Sequence, residues 1–280
     1  MKIIYKGKEY SLKDLKIAQK TFNDSLKIPE YIAEYNGTME YRCFDERYKL
    51  VFLFYIEHYE QLISARFALI NSYRKIQDSN YINWNSGDYG QYWLRFQYLK
   101  NSIIWYNSSF ELILQSLWFG FKLYNKINFK NKPYNTIDSA DAYKFFLEKC
   151  NIDNVKIGLE KSINSQDVII SLNKIKDSIE FKNIKRWSNN LKHKGNFIVK
   201  EIYYPAGGLK TQNFDSIYTT PEIIDIDIAT ETVKDFHIKL YEFAEEIFKL
   251  FNIPKIFEEM EKDKDLLISF DFEKHLLIKN

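Results

Sequence analysis

The sequence predicts a mainly α protein: a helical bundle with two long antiparallel helices and a small β-hairpin inserted after a basic motif helix. Three observations predict it. The 280 residues hold only 9 Gly and 5 Pro, too few backbone breakers for a many-turned sandwich or propeller. Aromatic residues reach 17%, and through the first half of the chain they recur at spacings of three and four, the period of one helical face. Near residue 224 the pattern changes to strict alternation, with Asp225 and Asp227 between Ile224, Ile226 and Ile228, which is strand period.

Residues 1–280 are expected to form a single domain, in four stretches. The first, 1–40, opens with a hairpin: Ile3, Ile4 and Tyr5, a Lys-Gly turn, then Glu9 and Tyr10. Ser11 with Asp14 three residues on resembles a capping box and starts a helix to about Ile28, where Pro29 follows. The helical core, 44–194, begins with a run free of Gly and Pro from Phe44 to about Gln77. Its apolar face is marked by Tyr48, Phe52, Tyr55, Tyr59, Leu62, Leu69, Tyr73 and Ile76. After a polar bend over 78–88 comes the cleanest period in the chain: Leu99, Ile103, Tyr106, Phe110, Ile113, Leu117, Phe121 and Tyr124. These eight positions mark a helical seam of roughly 40 Å. Two long helices joined by a short bend pack antiparallel. A loop around Pro133, shorter helices over Ser139–Cys150 and Ser165–Lys176, and a helix from about Asp177 to Lys194 stopped by Gly195 complete the core. In the third stretch, 197–228, Phe197–Tyr204 and the alternating isoleucines form the two strands of the hairpin, with PAGG at 205–208 as a turn. In the last, 230–280, Thr230 or Thr232 caps a helix to about Phe251, and a charged tail follows.

The 40 basic and 38 acidic side chains nearly cancel, so any affinity for nucleic acid must come from a local patch. Cys43 and Cys150 are the only cysteines and stand in no CxxC spacing, which excludes a disulfide framework or zinc ribbon. No apolar run suits a signal peptide. The closest approach to a membrane span, between Lys100 and Lys122, carries seven Asn, Ser and Gln side chains and reads as a core helix. A cytoplasmic protein without membrane contact is expected. So is the absence of metal and cofactor: Glu-x-x-His occurs nowhere, His58 reads as a satisfied or surface histidine, and His237 and His275 stand alone. Asp225 and Asp227 read as the solvent face of the hairpin.

One segment combines local charge with acid–base chemistry. Lys182 to Lys194 holds five Lys or Arg and one His, with no acid, in thirteen residues. At the helical period Arg186, His193, Asn190, Asn189 and Lys182 fall within about 100° of arc, while Ile184, Trp187 and Leu191 face the other way. Arg186 and His193 are two turns apart, about 10 Å along the axis. Arginine forks onto phosphate oxygens, and histidine exchanges protons near neutral pH. Together they suit metal-free phosphodiester cleavage by 2′-OH attack, with His193 as base or acid and Arg186 stabilising the developing charge. A symmetric dimer would bring two such pairs together.

The R-x6-H spacing of Arg186 and His193 near a helix end, inside a bundle of long helices, resembles the HEPN superfamily, over Phe44 to Lys194. The resemblance implies an all-α homodimer and a metal-independent endoribonuclease, often a toxin or anti-phage effector that meets an antitoxin or other partner protein. It equally implies non-catalytic members that bind RNA, a nucleotide or a protein. Arg186 and His193 would be catalytic; Lys182, Asn189, Asn190 and Lys192 would hold substrate. The chain departs from the family where a polar residue commonly follows the arginine. Trp187 stands there, and Asn190 is the better polar helper. The plain alternative, a solvated basic helix face with His193 favourably placed at the helix C-terminus, stays open at this point.

Overall fold

The structure, a computed structural model, describes residues 2–28, 46–75, 88–130, 133–162, 165–193, 197–203 and 222–251. The expected bend over 78–87, the stop at Gly195, the PAGG turn, Cys43, His275 and the charged tail lie outside the described residues, as do Ile76 and the side chain of Tyr48. Helix makes up 77% of what is described, so the protein is mainly α. In chain order the elements are β1 (Lys2–Tyr5), β2 (Lys8–Ser11), α1 (Leu12–Ser25), α2 (Glu46–Tyr73), α3 (Asp88–Gly120), a 3-10 turn at Leu123–Asn125 and α4 (Ala140–Glu148). They continue with α5 (Ile152–Glu160), α6 (Gln166–Asp177), α7 (Ile179–His193), β3 (Ile198–Val199), α8 (Lys200–Tyr203), β4 (Ile223–Ile224) and α9 (Ile226–Leu250). Among the described residues no helix is long and apolar enough to cross a membrane.

The chain divides into two compact units, and α2, α3 and α9 each give a segment to both. The first unit takes in residues 1–28, 62–107 and 178–238. Its antiparallel hairpin, β1 with β2, turns at Lys6 and Gly7, both at positive φ as a tight two-residue connection requires. Ser11 and Asp14 then form the full capping box of α1. Within this unit Arg95 Nε donates to the Ser72 carbonyl and Ser102 Oγ to the Ala65 carbonyl, so α2 and α3 run antiparallel. Leu99, Ile103 and Tyr106 of α3, Leu62, Ala65 and Leu69 of α2, Phe181, Ile184 and Trp187 of α7 and Phe236 of α9 are all buried in this unit.

The second unit holds the other ends of the long helices with α4, α5 and α6. All five remaining seam positions, Phe110, Ile113, Leu117, Phe121 and Tyr124, are buried as the period predicts. The helix itself ends earlier than the seam: Lys122 enters the left-handed region and the last two seam residues lie past α3. Trp118 Nε1 donates to the Phe146 carbonyl, tying α3 to α4. α5, capped by Asn151, falls between two expected helices where no element was expected.

Among the described residues the expected β-hairpin after the motif helix is not formed. Ile198–Val199 and Ile223–Ile224 are two-residue strands that pair parallel, and α8 takes up Lys200–Tyr203. The reason lies at Asp225. Its Oδ1 accepts from the backbone N–H groups of Asp227 and Ile228, which makes it the cap of α9 in place of Thr230 or Thr232. Ile226 and Ile228 are therefore helical, the first buried and the second 68% exposed.

Asp225 and Asp227 are also not a bare solvent face. Asp227 carries a charge network in which Arg95, 0% exposed, donates Nη2 to Asp227 Oδ1 at 2.8 Å and Nη1 to the Tyr5 hydroxyl. The Tyr5 hydroxyl donates in turn to Asp227 at 2.9 Å. Lys6 Nζ lies 2.9 Å from both Asp225 and Asp227 and pairs with Glu201 of α8, whose carboxylate also accepts from Ile226 N–H. Burial opposes the charge on Asp227, yet the Arg95 guanidinium outweighs it and holds the carboxyl well below its usual range. Asp227→Ala strands a buried guanidinium and should cost about 3 kcal/mol in urea unfolding. A loss within experimental error would show that Tyr5 and Ser72 suffice for Arg95.

Candidate nucleic-acid interface

α7 begins where Ser178 Oγ accepts from Phe181 N–H, and it ends at His193. One side of it is fixed in the core of the first unit. Phe181, Ile184, Trp187 and Ser188 are buried, with the Phe181 ring 6.1 Å from Phe236 and the Trp187 ring 5.9 Å from Phe197. The other side is open: Lys182, Arg186, Asn189, Lys192 and His193 are exposed, and Asn190 is half-buried. The helical period thus places every expected site residue away from the core, and Trp187 faces inward as its position after Arg186 requires. Lys192 and His193 lie in the last turn, where positive charge is favoured by the helix dipole.

No hydrogen bond joins Arg186 to His193, and His193 has no hydrogen-bond partner among the described residues. Arg186 instead donates Nη2 to Asn183 Oδ1 at 2.9 Å and to Glu222 Oε1 at 2.7 Å. The same Glu222 oxygen accepts from Trp187 Nε1 at 3.1 Å. Sequence reasoning missed Glu222, because it lies 36 residues from Arg186 with no local pattern to link them. The β3–β4 pair brings it in: Ile198 N–H donates to the Glu222 carbonyl at 2.9 Å. The strip itself, 182–194, holds no acid, but Glu180 stands in the first turn of the same helix and Glu222 reaches Arg186 in space. With Arg186 54% exposed, this ion pair adds at most about 1 kcal/mol to stability, so a phosphate oxygen can compete with it.

The buried His58 and His237 and the half-buried Cys150 serve the core. His237 Nε2 donates to the Lys27 carbonyl at 2.9 Å, which leaves Nδ1 to accept from the Tyr106 hydroxyl at 2.8 Å. His58 Nδ1 sits 2.8 Å from the Ser109 hydroxyl and 3.1 Å from its carbonyl. Both are satisfied buried histidines. Burial pushes each imidazole down from 6.5 to about 4. Burial pushes the Cys150 thiol up, away from reactivity. Among the described residues no group of three or more His, Cys, Asp or Glu side chains could hold a metal ion.

No family model matches this sequence, and neither a curated protein nor a solved structure does.

The histidines set a pH dependence. Between their ordinary value and about 4 the unfolded chain binds protons that the folded chain refuses, so stability falls as pH is lowered through that window. Each should cost about 2 kcal/mol between pH 7 and pH 5, and His237→Gln should remove about half of the slope. Equal stability at the two pH values would contradict burial of neutral imidazoles.

Proposed function

We propose that the chain is a HEPN-like, metal-independent endoribonuclease, of the toxin or anti-phage kind, that acts as a homodimer. The observation that supports this most is the polarity of α7. Its back is locked by Trp187, Ile184 and Phe181, and its front exposes Arg186, Asn189, Lys192 and His193. In this reading the RNA backbone lies along that front. His193 takes the proton of the attacking 2′-OH or protonates the leaving 5′ oxygen, and Arg186 binds the charge that builds on the phosphate. Lys182, Asn189, Asn190 and Lys192 hold neighbouring phosphates and sugars. With Arg186 and His193 two turns apart on one helix, a second copy supplies the complementary pair. RNA displaces Glu222 from Arg186 on binding.

Glu222 favours a second reading. An arginine already matched to a carboxylate suits a non-catalytic dimeric module that binds RNA, a nucleotide or a protein partner through the rest of the strip.

Cleavage of single-stranded RNA in EDTA decides between the two. The enzyme reading expects turnover without metal, a loss of about 10²-fold or more in His193→Ala, and a comparable loss in Arg186→Ala. Binding without turnover supports the module. Glu222→Gln should tighten RNA binding in either case, since it removes a negative charge beside Arg186. No RNA binding by wild type or by Glu222→Gln would sink the enzyme reading and leave only nucleotide or protein as the module's ligand.

A further inference from the structure

A cavity of about 500 Å³ opens in the first unit between α1 and the end of α2, within the range of roughly 300–1,000 Å³ usual for small-molecule sites. Its charge is one-sided. Lys16, Lys20, Arg74 and Lys75 line it, against the single carboxylate of Asp24. In a chain of formal net charge +2 that is a marked local excess.

Lys75 shows what is missing there. It is held in place, its ammonium 4.5 Å from the Tyr5 ring centre and 3.7 Å from Asp227 Oδ1. Among the described residues that is its one ion pair, with Glu231 acting at longer range, and Asp227 is already committed to Arg95 at 2.8 Å and Lys6 at 2.9 Å. One carboxylate therefore serves three cations at this point, while Lys6 alone has Asp225 and Glu201 as well. Burial lowers the affinity of Lys75 for its proton, so an incoming anion would be bound with gain.

The remaining wall is part apolar and part polar. Leu12, Leu15 and Ala18 line one side, and the Tyr73 ring is stacked on Phe22 at 3.9 Å. Gln19 is pinned by Asn23 Oδ1 at 2.9 Å and by the Ile70 carbonyl at 3.3 Å, so the polar edge is set before any ligand arrives. We propose that this cavity binds a small organic phosphate, its phosphate among Lys16, Lys20 and Lys75 and the flat face of its nucleobase against Leu15, Ala18 and Tyr73. The site is separate in residues from the front of α7 and does not depend on the ribonuclease reading.

Calorimetric titration of the full chain with ATP, AMP and inorganic phosphate tests it. Saturable binding of a nucleotide, one per chain, is expected, with inorganic phosphate weaker by about tenfold or more for lack of the apolar contact. Lys16→Glu/Lys20→Glu should weaken nucleotide binding by about tenfold or more, since both lysines are exposed and the change reverses charge without disturbing the core. Ala18→Phe, which fills the cavity, should do the same. Lys182→Glu/Lys192→Glu on α7 should leave it unchanged. Absence of saturable nucleotide binding, inorganic phosphate binding as tightly as nucleotide, or a loss caused by the α7 variant and not by the two cavity variants would overturn the proposal.

Discussion

Arg95 has no contact with solvent, and a buried guanidinium must be paired or it costs several kcal/mol. The first unit is arranged around meeting that demand. Asp227 supplies the charge from the first turn of α9, Tyr5 the hydroxyl from β1, and Ser72 the carbonyl from α2. The hairpin is then fixed twice, by Tyr5 and by Lys6, whose second set of partners reaches Glu201 on α8 and Asp225 at the head of α9. From α8 and β3 the placement passes to β4, and from β4 to Glu222 beside Arg186. The surface chemistry of α7 is linked in this way to the ion pair of the buried Arg95 guanidinium with Asp227.

The helical parts were largely legible because burial there follows a local period, although Tyr55, Tyr59 and Tyr73 of the face expected on α2 are only half-buried. Every position of the seam from Leu99 to Tyr124 is buried, and Trp187 and Ile184 face inward where the helical angle puts them. The capping box at Ser11 is a local signal as well, needing only four residues. What was not legible depends on contacts distant in sequence. Ile224, Ile226 and Ile228 alternate as a strand would, but Asp225 has an alternative use, the open N–H groups of a helix start, and Asp227 has Arg95, 132 residues away. Those two interactions outweigh the weak preference of three isoleucines for a strand.

The same limit applies to the candidate site. The helix carrying Lys182, Arg186, Asn189, Asn190, Lys192 and His193 was readable to within a residue or two, including which side faces out. The segment 182–194 holds no acid, yet Glu180 stands in the first turn of its helix and Glu222 lies beside it in space. Glu222 arrives from a two-residue strand pair, and neither its burial nor its spacing announces it. An arginine with one surface carboxylate and one asparagine remains exchangeable for phosphate, because the pair is half in water. Trp187 gives Glu222 a second donor, so the carboxylate keeps a partner when Arg186 is taken by a ligand.

In the proposed function the outward face of α7 meets RNA. The imidazole Cε1–H proton resonances give the most direct test, since His193 is exposed on that face while His58 and His237 are enclosed in the core. On titration with a single-stranded RNA oligonucleotide in EDTA, the His193 resonance, assigned by its absence in His193→Gln, should shift and saturate while those of His58 and His237 stay in place. RNA that binds and leaves the His193 resonance unmoved would place the interface elsewhere and contradict the claim.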